Sequence, residues 1–217
     1  MVRMGQATTR IAYWAVATAA MVGMQTGVAQ ERPSGLIVDA IVGEPPTLDP
    51  AITTADVVAA PSEHIFETLF TFDSHWNVQP LLADRMPAVS ADRLTYTIPL
   101  RRGVAFHNGT EMSAADVVAS LTRWQAVAVF GKDVHPYVEY LDAPGDHTVV
   151  IKLKEPYMPL LALLATQVSA AVVVPKSVIK GGQLTALIGT GPYSLAEHKP
   201  DQYIKLVRFK GYSSRKE

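Results

Sequence analysis

The chain has 217 residues, a formal net charge of -1 and no cysteine, and 48 % of it is hydrophobic. That is enough apolar sequence for a sizeable core, and too even a charge for a nucleic-acid surface, which needs a basic patch to displace counterions from phosphates. Without cysteine there is no disulfide, thiolate metal site, cysteine nucleophile or lipid-modified amino-terminal cysteine.

Arg3 and Arg10 flank the start of an uncharged run from Ile11 to Met24, and the small residues Gly27 and Ala29 follow. A charged start, an apolar middle and a small-residue exit make a secretory signal peptide. About fourteen apolar residues fall short of the roughly twenty that span a bilayer. Residues 1–29 are expected to be removed near Ala29, which leaves an exported chain starting near Gln30.

Leu36 to Ile41 is a short apolar run that reads as a buried strand. The Pro- and Gly-dense "GEPPTLDP" after it is a loop. A helix is expected to open with Pro61 in its first turn and to run through "SEHIFETLF", with Ile65, Phe66 and Leu69 on its apolar side. In "RLTYTIPLR", Leu94, Tyr96, Ile98 and Leu100 alternate with Thr95, Thr97 and Pro99, which is a strand; Pro99 places it at an edge or a bulge. "HTVVIKLKEP" repeats that pattern with Val149, Ile151 and Leu153 on one face. "MPLLALLATQ" reads as a short buried helix and "AAVVVP" as a strand buried on both faces. "GGQL" is a break, "GTGPY" a tight turn and "QYIKLVRF" a last strand. The mixture of strands and helices makes an α/β or α+β protein.

The stretch "AFHNGTEMSAADVVASLTRW" is the place where chemistry could hide. Asn108-Gly109 is a strong turn signal, because both residues tolerate positive φ. Ser113 then precedes a helix with Ala114, Val117, Val118, Leu121 and Trp124 on one face, and Asp116 stands three residues on, as in a capping box. His107 reads as a structural hydrogen-bonding residue at the turn, and Trp124 as core. The six histidines show no HExxH spacing. No serine-hydrolase elbow or Walker loop occurs, and "GTGPYS" lacks the third glycine and the helix start of a dinucleotide site. Pairs such as Glu44 with Asp49, or Glu63 with Glu67, are open to any acidic protein. A hydrolase would need His107 or His64 to meet a serine and an acid in space.

The order of the segments says more than any one of them. "PPTLDP", "HIFETLFTFDSHWNVQPLLADRM", "DRLTYTIPLRRGVAFHNGTEMSAADVVASLTR", "TVVIKLKEPYMPLLALLA", "VVVPKS" and "GTGPYSLAEHKPDQYIKLVRF" together resemble the extracellular solute-binding proteins of family 5. These are the dipeptide, oligopeptide and nickel carriers of ABC importers. The resemblance covers residues 36 to 212. Its most specific part runs from Thr95 to Ser120, with Asn108 where the family usually has an acidic residue.

That resemblance implies a periplasmic-binding-protein type II fold with mixed α/β (α+β) lobes, of which only the first is expected here and the second is missing. Residues 30–70 and 179–217 would form the main part of that lobe, the last stretch truncated, with 71–178 inserted as a subdomain. It implies no catalytic residue, no metal and no cofactor. Partners would be a peptide or other small solute, such as a nickel chelate or an opine-like compound, and ABC permease subunits in the membrane. The carrier would be periplasmic, act as a monomer and bind no nucleic acid. The loop after Leu48-Asp49-Pro50 lines the cleft in the family, which makes Ile52, Thr53 and Thr54, with Ala51 before them, the ligand-binding candidates; as residues alone they read equally as an ordinary surface loop. An exported interaction module and a secreted hydrolase are the alternatives. Half a cleft would leave a ligand solvated, so residues 30–217 by themselves are expected to bind peptide weakly or not at all.

Overall fold

The computed structural model describes residues 35–212, which fall in two units divided after Asp39. The signal peptide assigned to residues 1–29 lies outside the described residues. In the first unit, 35–39 has no helix or strand, and Leu36, Ile37 and Val38 are 85, 86 and 82 % exposed. The buried strand predicted over Leu36 to Ile41 is therefore absent. An apolar run becomes a strand only where a neighbour takes its N–H and C=O groups, and no strand among the described residues pairs with it.

The second unit opens with the predicted loop and then helix α1, Asp56–Ile65. Pro61 lies inside this helix rather than in its first turn, where it removes one backbone donor. The Ser62 hydroxyl donates to Val58 O at 2.6 Å and lies 3.0 Å from Ala59 O in the same turn. The helix ends before Phe66, which is extended, so Phe66 and Leu69 reach the core from non-helical chain. Strands β1, Phe70–Phe72, and β2, Val78–Pro80, follow as a hairpin that sequence reasoning missed. Asp73 holds its turn by accepting from His75 N–H at 2.8 Å and Asn77 N–H at 2.9 Å.

A four-stranded antiparallel sheet carries the main core. Its order is β3 (Ala88–Val89), β4 (Thr95–Pro99), β6 (Thr148–Leu153), β5 (Val138–Gly145). The period of two predicted for β4 and β6 holds: Tyr96, Ile98 and Leu100, and Val149, Ile151 and Leu153, are all buried. Contrary to the edge assignment, β4 is an inner strand. Pro99 is tolerated because it sits at the strand's end opposite Thr148, past the reach of two-residue β3.

Helix α2, Ala114–Val127, packs on β5 and β6 with Ala114, Val117, Leu121 and Trp124 buried, the face predicted for it. Ser113 caps it in a complete capping box with Asp116. The short helices α3, Val129–Val134, and α4, Leu160–Leu163, complete this layer, with one 3-10 turn at His135–Tyr137. The "AAVVVP" run is buried as predicted but forms no ladder. Its amides go to isolated partners instead, Ala170 N–H to Pro50 O at 3.1 Å and Val173 N–H to Glu67 O at 3.0 Å. After a 3-10 turn at Lys176–Val178 come two further hairpins, β7 (Ile179–Lys180) with β8 (Gln183–Leu184), and β9 (Tyr193–Lys199) with β10 (Tyr203–Arg208). Gly181 and Gly182, both at positive φ, make the β7–β8 turn.

Among the described residues, most of the buried apolar side chains fall in two clusters. The larger joins the four-stranded sheet to α2, and the smaller gathers Ile65, Phe66, Ala170, Val172, Val174 and Val178. Among the described residues no helix is long and apolar enough to cross a membrane.

Candidate ligand-binding surface

The sequence "LDPAITTAD" shapes the loop that carries the predicted ligand contacts. Leu48 is buried, and the Asp49 carboxylate accepts Ala51 N–H at 3.1 Å, the local turn that aspartate favours. Ala170 N–H donates to Pro50 O at 3.1 Å and fastens the loop from the far side. Ala51 is thereby turned into the core, while Ile52 is 40 % exposed, Thr53 half-buried and Thr54 exposed. The Thr53 hydroxyl accepts Ala55 N–H at 3.1 Å, which leads the chain into α1. Two of the three predicted residues thus present side chains outward, the third is occupied in a local turn, and the Ala51 methyl is buried in the core.

Asp49 does not pair with Glu44. Its partner is Arg123 on α2, in an ion pair whose side chains are only 6 and 3 % exposed. Glu44 instead accepts Asp201 N–H at 2.9 Å and bonds His198 Nε2 at 2.7 Å; the Asp201 amide above all, with His198 after it, holds its carboxyl below the ordinary carboxylate value. The link from Asp49 to Arg123 lies outside any local sequence rule. One signal was available: Asp116, Ser120 and Arg123 form a polar stripe at helical spacing on a helix otherwise apolar on that side.

A cavity of about 330 Å³ opens where α1 ends, lined among others by Glu63, His64, Phe66, Glu67, Gln167 and Tyr212. Ile52, Thr53 and Thr54 do not line it. Tyr212 donates its hydroxyl proton to Glu67 Oε1 at 3.1 Å. Burial pushes the Glu63 carboxyl up, and the neighbouring His64 offsets part of that. Two carboxyl groups in one partly closed space favour hydrogen-bond donors and cations over anions.

His107 answers the question raised by its motif. Its Nε2–H donates to Gly191 O at 2.9 Å and its Nδ1 accepts Gly189 N–H at 3.3 Å, which defines the tautomer, while Phe209 packs edge-on against the ring at 4.9 Å. Both nitrogens are taken by backbone, so the hydrolase arrangement built on His107 fails. His64 stacks with Tyr193, and His135 bonds Gln125. Among the described residues no group of three or more His, Asp or Glu is placed to hold a metal.

Three comparisons bear on the arrangement. Residues 77–217 match the family model of bacterial extracellular solute-binding proteins, family 5 Middle. The chain is 31 % identical to a probable peptide ABC transporter periplasmic-binding protein, y4tO, of Sinorhizobium fredii, over 94 % of this chain and 38 % of that protein. It is 32 % identical to the glutathione-binding protein GsiB of Escherichia coli K12, over 76 % of this chain and 33 % of that one. The chain therefore spans little more than a third of the curated relatives it matches. Among solved structures, the periplasmic binding protein DppA of Helicobacter pylori in complex with peptide STSA superposes with a TM-score of 0.71 at 25 % identity, covering 80 % of this chain and 39 % of that one. NikA of Brucella suis in complex with Fe(III)-EDTA gives 0.69 at 27 % identity, over 80 and 36 %.

Proposed function

We propose a capture role from one premise: the chain belongs to the bacterial extracellular solute-binding proteins, family 5. In that role it holds a peptide, or another small solute, in the periplasm and passes it to the permease subunits of an ABC importer; it binds and does not catalyse. The observation that carries the reading is the family match over residues 77–217, through the turn, cap and helix that looked at first like a site of chemistry. A peptide is preferred as cargo because the relative y4tO is named for peptide transport and GsiB for glutathione, itself a peptide.

Ile52, Thr53 and Thr54 are the chain's contribution to the solute surface. An extended peptide lying against such a loop is held by main-chain hydrogen bonds in the manner of an added strand, with side chains setting preference. The division proposed is a main part, 30–70 with 179–217, and an insert over 71–178; Ile65 and Phe66 packing with Leu195 and Leu206 supports the main part, while Ala170, Val172, Val174 and Val178 carry the same cluster into the insert.

Thermal shift on the whole protein, with separate pools of tripeptides, nickel–histidine chelate and sugar-acid conjugates, tests the reading. A ligand at one hundred times its Kd stabilises by about 2.7 kcal/mol, which raises Tm by several degrees. The tripeptide pool is expected to do so. A rise with another pool alone replaces the cargo class, and no rise with any pool overturns capture.

A further inference from the structure

The polar stripe of α2 ties down three distant stretches of chain. Lys176 N–H donates to Asp116 at 2.9 Å. Val174 N–H donates to Ser120 Oγ at 3.0 Å, and the Ser120 hydroxyl lies 3.1 Å from Val174 O. Arg123 reaches furthest: its Nε–H donates to Gly182 O at 2.9 Å, and its Nη2 pairs with Asp49 Oδ2. The other oxygen of Asp49 is the one that accepts Ala51 N–H. One guanidinium therefore joins the β7–β8 turn to the carboxylate that shapes the 50–54 loop.

Such a pair is a poor device for stability alone, because apolar residues of the same volume serve as well in a core. What it supplies is direction. The planar guanidinium donates along fixed lines from two nitrogens, and a lysine ammonium on a flexible stem does not. We propose that Arg123 is the positioning residue of the solute-contacting loop, acting through Asp49 to set the backbone of residues 50–54 so that Ile52 and Thr54 face outward. This rests on the capture role assigned to that loop.

The test is Arg123→Lys in the whole protein, read by amide hydrogen exchange and by equilibrium dialysis against an equimolar tripeptide pool. Exchange at residues 51–54 is expected to speed up by about tenfold, with β4 and β6 unchanged, and peptide binding to weaken by about the same factor. Unchanged exchange at 51–54, or an equal rise across β4 and β6, overturns the positioning role. A loosened loop with undiminished peptide binding also overturns it, while the capture role stands. Failure of the unsubstituted protein to bind the pool counts against capture instead, and the exchange pattern still decides what Arg123 does. Should Arg123→Lys fail to fold, the paired variant Arg123→Met with Asp49→Asn leaves no charge buried alone, and its exchange at 51–54 is expected to rise in the same way.

Discussion

Acidification is expected to release His107 from the turn at 189–191. The neutral ring satisfies two backbone groups at once, donating to Gly191 O at 2.9 Å and accepting Gly189 N–H at 3.3 Å. Protonation places a second N–H on Nδ1, facing the Gly189 N–H, so one bond is lost and a donor is left without an acceptor. That costs about 1 kcal/mol, the low end of the range because the ring is only half-buried. Burial lowers the pKa of His107 below its ordinary 6.5, and the hydrogen bond to Gly191 only partly opposes this. The unfolded chain therefore takes the proton first. The contribution is whole above pH 6.5 and is lost as pH falls through the folded value. For a chain of this size the loss is roughly 2–4 °C in Tm. Calorimetric Tm values at about pH 8 and about pH 5 read it when compared between the native sequence and His107→Gln, which keeps a donor and cannot titrate. Glu111 in the same turn, Tyr193 beyond the glycines, and Arg208 and Lys210 beside Phe209 are the ionisable neighbours in sequence. Among the described residues none forms an ion pair with the ring, and all are kept in the variant. The native sequence should lose the extra 2–4 °C or so on acidification. Equal losses in both would refute the link.

Other substitutions test the packing around the site. A Cβ at Gly189 would lie 2.1 Å from Ile65 O, so Gly189→Ala is expected to cost about 3 kcal/mol in urea unfolding. Trp124→Phe removes the donor that bonds Ser169 O at 2.7 Å in the core and should lower the urea midpoint by the equivalent of about 1–3 kcal/mol. Ser113→Ala removes half of the capping box on α2, a loss of about 1 kcal/mol in the same assay.

Patterns that depend on a residue's own neighbours were legible, and those that depend on a distant partner were not. The turn at Asn108-Gly109, the Ser113 cap and the apolar face of α2 are local, and all three stand as read. Alternation in β4 and β6 identified their buried faces but could not place β4 inside the sheet, because the neighbour beyond it, β3, is only two residues long. Hydrophobicity marked both Leu36 to Ile41 and Ala170 to Val174. It reports a tendency to bury and not a pairing, so one run is exposed and the other is buried without a ladder. Strand β5 was missed because most of its residues are exposed, and α1 began unseen because Ala55 supplies no side-chain cap. At the loop, the family resemblance pointed to Ile52–Thr54, while the Asp49–Arg123 pair joins residues 74 apart and is visible only in three dimensions.

Native mass spectrometry of the protein, extracted from the cell envelope under mild conditions, tests capture most directly. The account predicts a complex heavier than the polypeptide by one small solute, released on denaturation and identified as a peptide by fragmentation. A polypeptide that emerges free of solute, and stays free when a tripeptide pool is added, would contradict it.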